Sequence, residues 1–377
     1  MLPKLASPAY LTNWGGAHCG DSLDLLAGLP DSSINLVLTS PPFALQREKE
    51  YGNKVQTEYV AWLAQFARLV HRKLKDDGSF VLDLGGAYEP GAPTRSLYNF
   101  RVAVHFCDEL GFHLAEDFYW FNPSKLPSPI EWVNKRKLRA KDAVNTVWWF
   151  GKTRSPKADV TKVLTEYSDR MKKLLEDPEA FYTPKKRPSG HDIGKAFGKD
   201  NGGAIPPNLL QIPNTESNGS YLRGCKTVGV KGHPARFPAK LPEFFIRFLT
   251  APGDLVLDIF AGSNTTGYVA ECEGRKWLAF DDRLDYLAAS SFRFFSEAAT
   301  DADLKAAHTA VLHGKTVDLR SEVYRVARSA LHNGNIHKPA VSSQGVLVLA
   351  ESAATLPLPN NRPSKPVSYK RRTATAA

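Results

Sequence analysis

Ile34-Asn35-Leu36-Val37-Leu38-Thr39-Ser40-Pro41-Pro42-Phe43 is the stretch on which the fold turns. Its first five residues form an apolar run of a length suited to a buried strand. Two consecutive prolines then stop it. Each lacks an N–H, and each biases the residue before it toward extended backbone. A hydroxyl, two stiff backbone units and an aromatic ring therefore sit at the carboxyl end of a strand. In open α/β sheets that edge is where ligands bind. Taken alone the stretch is equally a strand ending in a proline turn, and its surroundings must decide.

Working outward, residues 22–26 have a short helical pattern that Asp21 is placed to cap. Residues 47–53 are too polar for a core and predict an exposed loop after the proline turn. Residues 58–74 carry Trp62, Leu63, Phe66, Leu69, Val70 and Leu74 at near-helical spacing. Lys75-Asp76-Asp77-Gly78 ends that helix, and residues 79–84 predict a second strand opening onto Gly85-Gly86. Strand, helix, strand in this order is a βαβ unit. A helix over 98–110 follows, ended by Gly111. Two aromatic segments, 114–121 and 144–150, then predict an antiparallel hairpin at one end of a mostly parallel sheet.

Downstream the apolar pattern thins. Residues 157–177 suggest a helix with Leu164, Met171 and Leu174 inward, and 184–232 predict ordered loops around sparse apolar anchors. A helix over 241–249, a buried strand, small-residue turn and helix start over 255–267, a strand over 276–280 and a helix over 286–297 restore the α/β rhythm. Helical stretches are expected over 302–331, then a poorly ordered tail ending in Lys370-Arg371-Arg372. The organisation predicted is a first half carrying the proline turn (1–155), a loop-rich insertion (156–232), a second half of the same domain (233–297) and a C-terminal extension (298–377).

The chain has 377 residues and a formal net charge of +10, which favours a polyanionic partner such as nucleic acid. Cys19, Cys107, Cys225 and Cys272 are far apart, which argues against a disulfide framework or a zinc site and suits a reducing cytoplasm. No metal site is expected. The amino terminus lacks a signal-peptide pattern, and no apolar run is long enough to span a bilayer.

A second constellation is Asp258-Ile259-Phe260-Ala261-Gly262-Ser263-Asn264-Thr265-Thr266-Gly267, a buried strand, a turn and a helix start. Gly262 permits close backbone approach to a ligand. The dinucleotide and P-loop fingerprints are both missing, so the turn suits a ligand with a carboxylate and no phosphate. Asp281, ending the next strand, is placed to accept hydrogen bonds from two ribose hydroxyls. An amino-acid carboxylate joined to a ribose describes S-adenosylmethionine. The competing role for Asp258 is to order its own turn.

These two motifs resemble those of the β-class DNA amino-methyltransferases. Thr39-Ser40-Pro41-Pro42-Phe43 is similar to their catalytic motif, with the serine that marks cytosine-N4 enzymes, particularly those of the PvuII type in restriction–modification systems. The turn from Asp258 to Gly267 resembles their cofactor motif, although Asn264 stands where a second glycine is commoner. Asp281 occupies a position where these enzymes more often have Glu. His233-Pro234-Ala235-Arg236-Phe237-Pro238 resembles the segment that helps enclose the methionine moiety, and Trp120-Phe121-Asn122-Pro123 with Lys125 the segment flanking the target base.

The resemblance spans about 17–295 and implies a Rossmann-like S-adenosylmethionine-dependent methyltransferase fold. It implies Ser40, Pro41, Pro42 and Phe43 as catalytic. It implies Asp21, Phe237, Pro238, Asp258, Phe260, Ala261, Gly262, Ser263, Asn264, Thr265 and Asp281 as cofactor-binding. The expected substrate is double-stranded DNA, read within a palindrome containing CAGCTG. A restriction endonuclease acting on the same site without physical association is implied as well, with the methyltransferase itself a monomer or weak dimer.

The chemistry suits these residue types. The exocyclic amine of cytosine is a poor nucleophile, and acceptors near its hydrogens push the nitrogen toward tetrahedral geometry. The Ser40 hydroxyl and Pro41 carbonyl are the natural pair, held by stiff backbone. Phe43 is placed to stack on a base taken out of the duplex. No cysteine nucleophile is needed, and no strong general base is evident. The basic residues Lys135, Arg136, Lys137 and Arg139, and Lys185, Lys186 and Arg187 in the insertion, are candidate DNA contacts, against the alternative of solvated faces. Adenine-N6 methylation and a non-catalytic nucleic-acid-binding protein remain as alternatives.

Overall fold

The computed structural model describes residues 5, 7–44, 58–177, 198–216 and 219–321. In chain order the elements begin with β1 (Tyr10–Leu11), β2 (Gly15–Cys19), α1 (Ser22–Ala27), β3 (Ile34–Thr39) and α2 (Tyr59–Lys73). Next come β4 (Leu74–Gly85), α3 (Tyr98–Asp108), β5 (His113–Phe121), β6 (Val144–Gly151), α4 (Asp169–Glu176) and β7 (Leu209–Gln211). The chain continues with α5 (Ser220–Val228), α6 (Lys240–Leu249), β8 (Leu255–Asp258), α7 (Thr265–Cys272) and β9 (Lys276–Asp281). It closes with α8 (Leu284–Ser290), α9 (Asp301–Leu312) and β10 (Val317–Asp318).

The strands form one sheet in the order β10-β1-β2-β9-β8-β3-β4-β6-β5-β7. From β2 through β9, β8 and β3 to β4 every pairing is parallel. Strand β6 lies antiparallel to both β4 and β5, which is the expected hairpin. Strand β3 leads through α2 to β4 on one side, and β8 leads through α7 to β9 on the other. The two strands sit side by side, with Leu36 opposite Val256 and Val37 opposite Leu257. Their carboxyl ends therefore flank a topological switch point, where an open sheet leaves a crevice.

Both faces of the sheet are covered, which is why β3, β4 and β8 read as continuous apolar runs. Alternation still assigns each side chain to a layer. Leu36, Leu38, Val81 and Trp149 join the core that includes Phe245, Ile246 and Leu249 of α6. Val37, Phe80, Leu82, Trp148 and Phe150 join the opposite core with Leu63 and Val70 of α2 and Val102 and Phe106 of α3. Among the described residues no helix is long and apolar enough to cross a membrane.

Several local expectations are corrected. Lys75 to Gly78 do not separate α2 from β4. They lie inside β4 as an irregularity, and the register against β3 jumps between Ile34 and Leu36. The helix expected over 157–177 shrinks to α4, which Ser168 caps. The Asp159 carboxylate takes the Thr161 N–H into a short turn, and Thr165 is drawn into an extended bridge with Ala204. Of the three side chains expected inward only Leu174 is fully buried. The insertion also holds more regular structure than expected, since β7 pairs with β5 and α5 follows. The helix near 286–297 begins at Leu284 and gives way to a 3-10 turn at Ser291–Phe294.

The C-terminal end of the described chain belongs to the sheet. A capping box of Thr300 and Asp303 starts α9, and β10 pairs with β1. The fold therefore continues past the boundary expected at 298, while among the described residues helix stops at Leu312. The loop of 47–53 and the terminal basic cluster lie outside the described residues.

The switch point is stitched by side chains. Thr39 Oγ1 donates to Asp258 Oδ1 at 2.7 Å, and Thr266 Oγ1 donates to Asp258 Oδ2 at 2.6 Å. A buried carboxylate is tolerable only with such donors, and desolvation still raises its pKa. Thr39→Val keeps the shape and removes one donor. Urea denaturation is expected to show a loss of about 1.5–3 kcal/mol, and an unchanged midpoint would show that the bond contributes nothing.

Candidate active site

A cavity of about 440 Å³ opens at the switch point. Ser40, Pro41, Pro42 and Phe43 line one part of it. Asp21, Phe237, Phe260, Ala261, Gly262, Ser263, Thr265 and Asp281 line the rest. Two motifs more than two hundred residues apart in sequence thus share one space, because β3 and β8 are neighbours.

On the first side, Ser40 Oγ donates to Asp83 Oδ2 at 3.0 Å. Asn145 Nδ2 donates to Asp83 Oδ1 at 3.1 Å. Burial pushes the Asp83 pKa up to about 6, and the Ser40 and Asn145 hydrogen bonds and the Lys125 charge oppose the rise. The sequence reading found no strong general base and did not single out this carboxylate. Its signal was a charged residue inside the buried run Phe80-Val81-Leu82-Asp83-Leu84, a position where acids are rarely found unless paired.

The proline turn is fixed from outside. Tyr59 Oη donates to the Pro42 carbonyl at 2.9 Å, and Tyr98 Oη donates to the Gly85 carbonyl. The two tyrosine rings meet edge to face at 5.0 Å between centroids. Both hydroxyls are buried, and desolvation raises their pKa values well above the usual range, so they stay protonated donors. The Phe43 ring lies over Gly85, where a Cβ would fall 2.4 Å from Phe43 Cε2. Only glycine leaves room for the ring in that place.

On the second side, Gly262 has φ +49°, a left-handed conformation that favours glycine. A Cβ there would also come within 3.1 Å of the His233 ring. The Gly262 N–H donates to Asp281 Oδ2 at 2.7 Å, and the Arg283 N–H donates to Asp281 Oδ1 at 3.0 Å. Desolvation raises the Asp281 pKa to about 6 against those two donors. His233 stands edge-on to Tyr286 at 4.5 Å, and burial holds its pKa down to about 4, so the ring is neutral. Trp62 and Phe66 of α2 pack on Phe260 at 5.7 and 5.0 Å and extend the aromatic wall.

Three expected cofactor residues do not line the cavity. Asp258 is buried beneath it and spends its oxygens on Thr39, Thr266 and the Phe260 N–H, so it orders the turn. Asn264 has φ +50° and points into the protein. It caps α7 through the Gly267 N–H and donates to Tyr10 Oη at 2.8 Å. Pro238 is also set back from the space. Asp21 does line it while capping α1 through the Leu23 N–H. His233 was quoted only as part of the methionine-side segment, and Tyr286, Trp62 and Phe66 were missed as site residues. For the last two the reason is plain: helical spacing marks them as core, and nothing in the spacing says that the core wall is also a cavity wall.

The basic residues Lys135, Arg136, Lys137 and Arg139 lie outside the cavity on the loop of 122–143. Lys135 and Arg136 both pair with Glu131, at 3.3 and 2.9 Å. Arg139 donates to the Pro93 carbonyl at 2.7 Å, and Lys137 is exposed with φ +54°. Lys185, Lys186 and Arg187 lie outside the described residues.

Comparison with known proteins finds related chains. The profile of the N6_N4_Mtase family, described as DNA methylase, matches residues 34–291, beginning at the first residue of β3. The chain is 67% identical over 321 residues to the type II methyltransferase M.PvuII of Proteus hauseri, covering 85% of this chain and 96% of that protein. It is 28% identical to the type II methyltransferase M.ScaI of Streptomyces caespitosus, over 78% of this chain and 86% of that one. A solved structure of the PvuII DNA methyltransferase (cytosine-N4-specific) superposes with a TM-score of 0.70 at 56% identity, covering 84% of this chain and 98% of that one.

The glycine beneath Phe43 gives a direct check. In Gly85→Ala the new methyl displaces the ring while leaving the Asp281 side intact. Steady-state kinetics should show kcat reduced by about tenfold or more, as expected when a binding group is misplaced by about 1 Å, with the cofactor KM unchanged.

Proposed function

The chain belongs to the DNA methylase family, and from that membership we propose that it transfers the methyl group of S-adenosylmethionine to the exocyclic N4 amine of cytosine in duplex DNA. In this reading it protects host DNA in a restriction–modification system. The observation that carries it is one cavity lined both by the Ser40–Phe43 turn and by Gly262 and Asp281.

The residues present fit the methyl donor. Asp281 presents a carboxylate at the cavity for ribose hydroxyls, and Gly262 removes the side chain that would fill the space beside His233. Phe260, Phe237 and Tyr286 supply apolar walls. When bound, S-adenosylmethionine supplies an electrophilic sulfonium methyl.

The remaining chemistry belongs to the protein. Ser40 gives its hydrogen to Asp83, so its oxygen lone pairs are left to accept from the cytosine amine. The Pro41 carbonyl is the second acceptor, and Phe43 stacks on the base. Together they hold the amine nitrogen with its lone pair toward the methyl donor. Ionised Asp83 strengthens Ser40 as an acceptor and receives, through it, the proton that the amine loses. The base must leave the helix to enter the cavity, at a cost of a few kcal/mol. Basic side chains of the loop of 122–143 and of the insertion over 156–232 would hold the phosphates and present the duplex. In this reading, which the likeness to PvuII-type enzymes supports, the target lies within CAGCTG and the protein acts as a monomer or weak dimer beside an endonuclease of the same specificity.

Nucleoside mass spectrometry of DNA from a host expressing the protein is expected to show N4-methylcytosine, absent with Ser40→Ala. N6-methyladenine alone would overturn the assignment.

The two raised carboxylate pKa values also predict a pH dependence. Protonation of Asp83 near pH 6 removes the acceptor behind Ser40, so kcat at saturating cofactor should fall as pH drops through about 6. Protonation of Asp281 in the same range should instead raise the cofactor KM. Asp83→Asn should abolish the acid limb of kcat and leave that of KM. A kcat profile unchanged in shape by this substitution would remove Asp83 from the mechanism.

A further inference from the structure

Residues 122–143 connect β5 to β6 at the carboxyl edge of the sheet, the edge that carries Ser40. The loop is rooted beside the reaction centre, since Asn145 at the start of β6 holds Asp83. Lys125 lies close enough for its charge to act on that carboxylate.

The first turn of the loop is closed by hydrogen bonds. Asn122 Oδ1 accepts from the Ser124 N–H at 3.1 Å and from the Asn214 N–H at 3.2 Å. The Lys125 N–H donates to the Asn122 carbonyl at 3.2 Å. Lys141 Nζ reaches across to donate to the carbonyls of Pro123 and Lys125, at 3.0 and 3.2 Å. The Asp142 N–H closes the far side by donating to the Ser128 carbonyl at 2.9 Å.

This well-held frame presents Leu126 to solvent at 80% exposure, the highest among the large apolar side chains of the described residues. Ile130 and Leu138 on the same loop are also exposed. The loop carries six Lys and Arg against Glu131 and Asp142, so it stays net positive although Lys135 and Arg136 pair with Glu131. Apolar side chains displayed on such a loop do not suit a protein partner's apolar core. They suit a polyanion with an apolar interior, which is the stack of a DNA duplex. Proteins that unstack DNA insert such apolar wedges between bases.

We propose that Leu126 is the wedge that enters the duplex and fills the space left by the target base when it moves to Ser40. The inference rests on the proposed flipping of the base. It assigns to a rigid loop residue the task of paying back lost stacking. The clamps on Asn122 and Lys141 explain why the loop is stiff: a wedge on a yielding loop would be pushed aside by the bases it must part.

The test uses the full chain and two duplexes. One has an ordinary target pair. The other carries a pyrene nucleoside opposite the target cytosine, which fills the stack and forces the cytosine outward without help. Leu126→Ala should lower the single-turnover rate on the ordinary duplex by about tenfold, equivalent to ~1.4 kcal/mol. On the pyrene duplex it should match the wild type. Leu126→Met, which keeps an apolar reach, should retain activity on both. Equal loss on both duplexes, or no loss on the ordinary one, overturns the wedge. Wild-type protein inactive on the pyrene duplex would instead overturn the flipping reading beneath it. Unchanged cofactor affinity of Leu126→Ala checks that the variant is folded.

Discussion

The hydrogen bond from Thr39 to Asp258 joins the two strands at which the chain's halves diverge. Everything functional is placed relative to it. Ser40 follows Thr39 directly, and the Phe260–Thr265 turn follows Asp258. A buried carboxylate shared by Thr39 and Thr266 forces the ends of β3 and β8 to keep a fixed separation. A group held by one turn is thereby aimed at a group held by the other. The cost of burying Asp258 is met by three donors, and the return is a crevice whose two walls do not drift.

The same logic recurs one layer out. Asp83 is buried behind Ser40 with Asn145 as its second donor, and Tyr59 and Tyr98 pin the carbonyls of Pro42 and Gly85. None of these four residues lies in the proline motif. They hold the motif in place, which matters for the proposed reaction because a weak nucleophile gains most from geometry fixed before it arrives.

Much of this was legible in the sequence where one physical signal dominated. The apolar runs of β3 and β8, the paired prolines and the glycine turn identify both halves of the site, and the hairpin of β5 and β6 follows from their aromatic content. Strand β2 was not legible. Its residues Gly15-Gly16-Ala17-His18-Cys19 lack strand-forming side chains, and Gly15 is required because a Cβ there would fall 2.4 Å from the Trp277 indole. Asp258 and Asn264 were expected at the cavity and do not line it, for a related reason. A motif shows which residues cluster but not which of them face inward, and here both are consumed by the turn itself. Asp83 went unassigned because its partner Ser40 is forty-three residues away and meets it only through the β3–β4 pairing.

A crystal structure of the protein with a non-transferring analogue of S-adenosylmethionine and a duplex containing the target cytosine tests the central claim most directly. The account predicts the cofactor ribose on Asp281 and the cytosine outside the helix, its N4 amine within hydrogen-bond distance of Ser40 Oγ and the Pro41 carbonyl. A cytosine still paired in the duplex, or an amine directed away from Ser40, would contradict it.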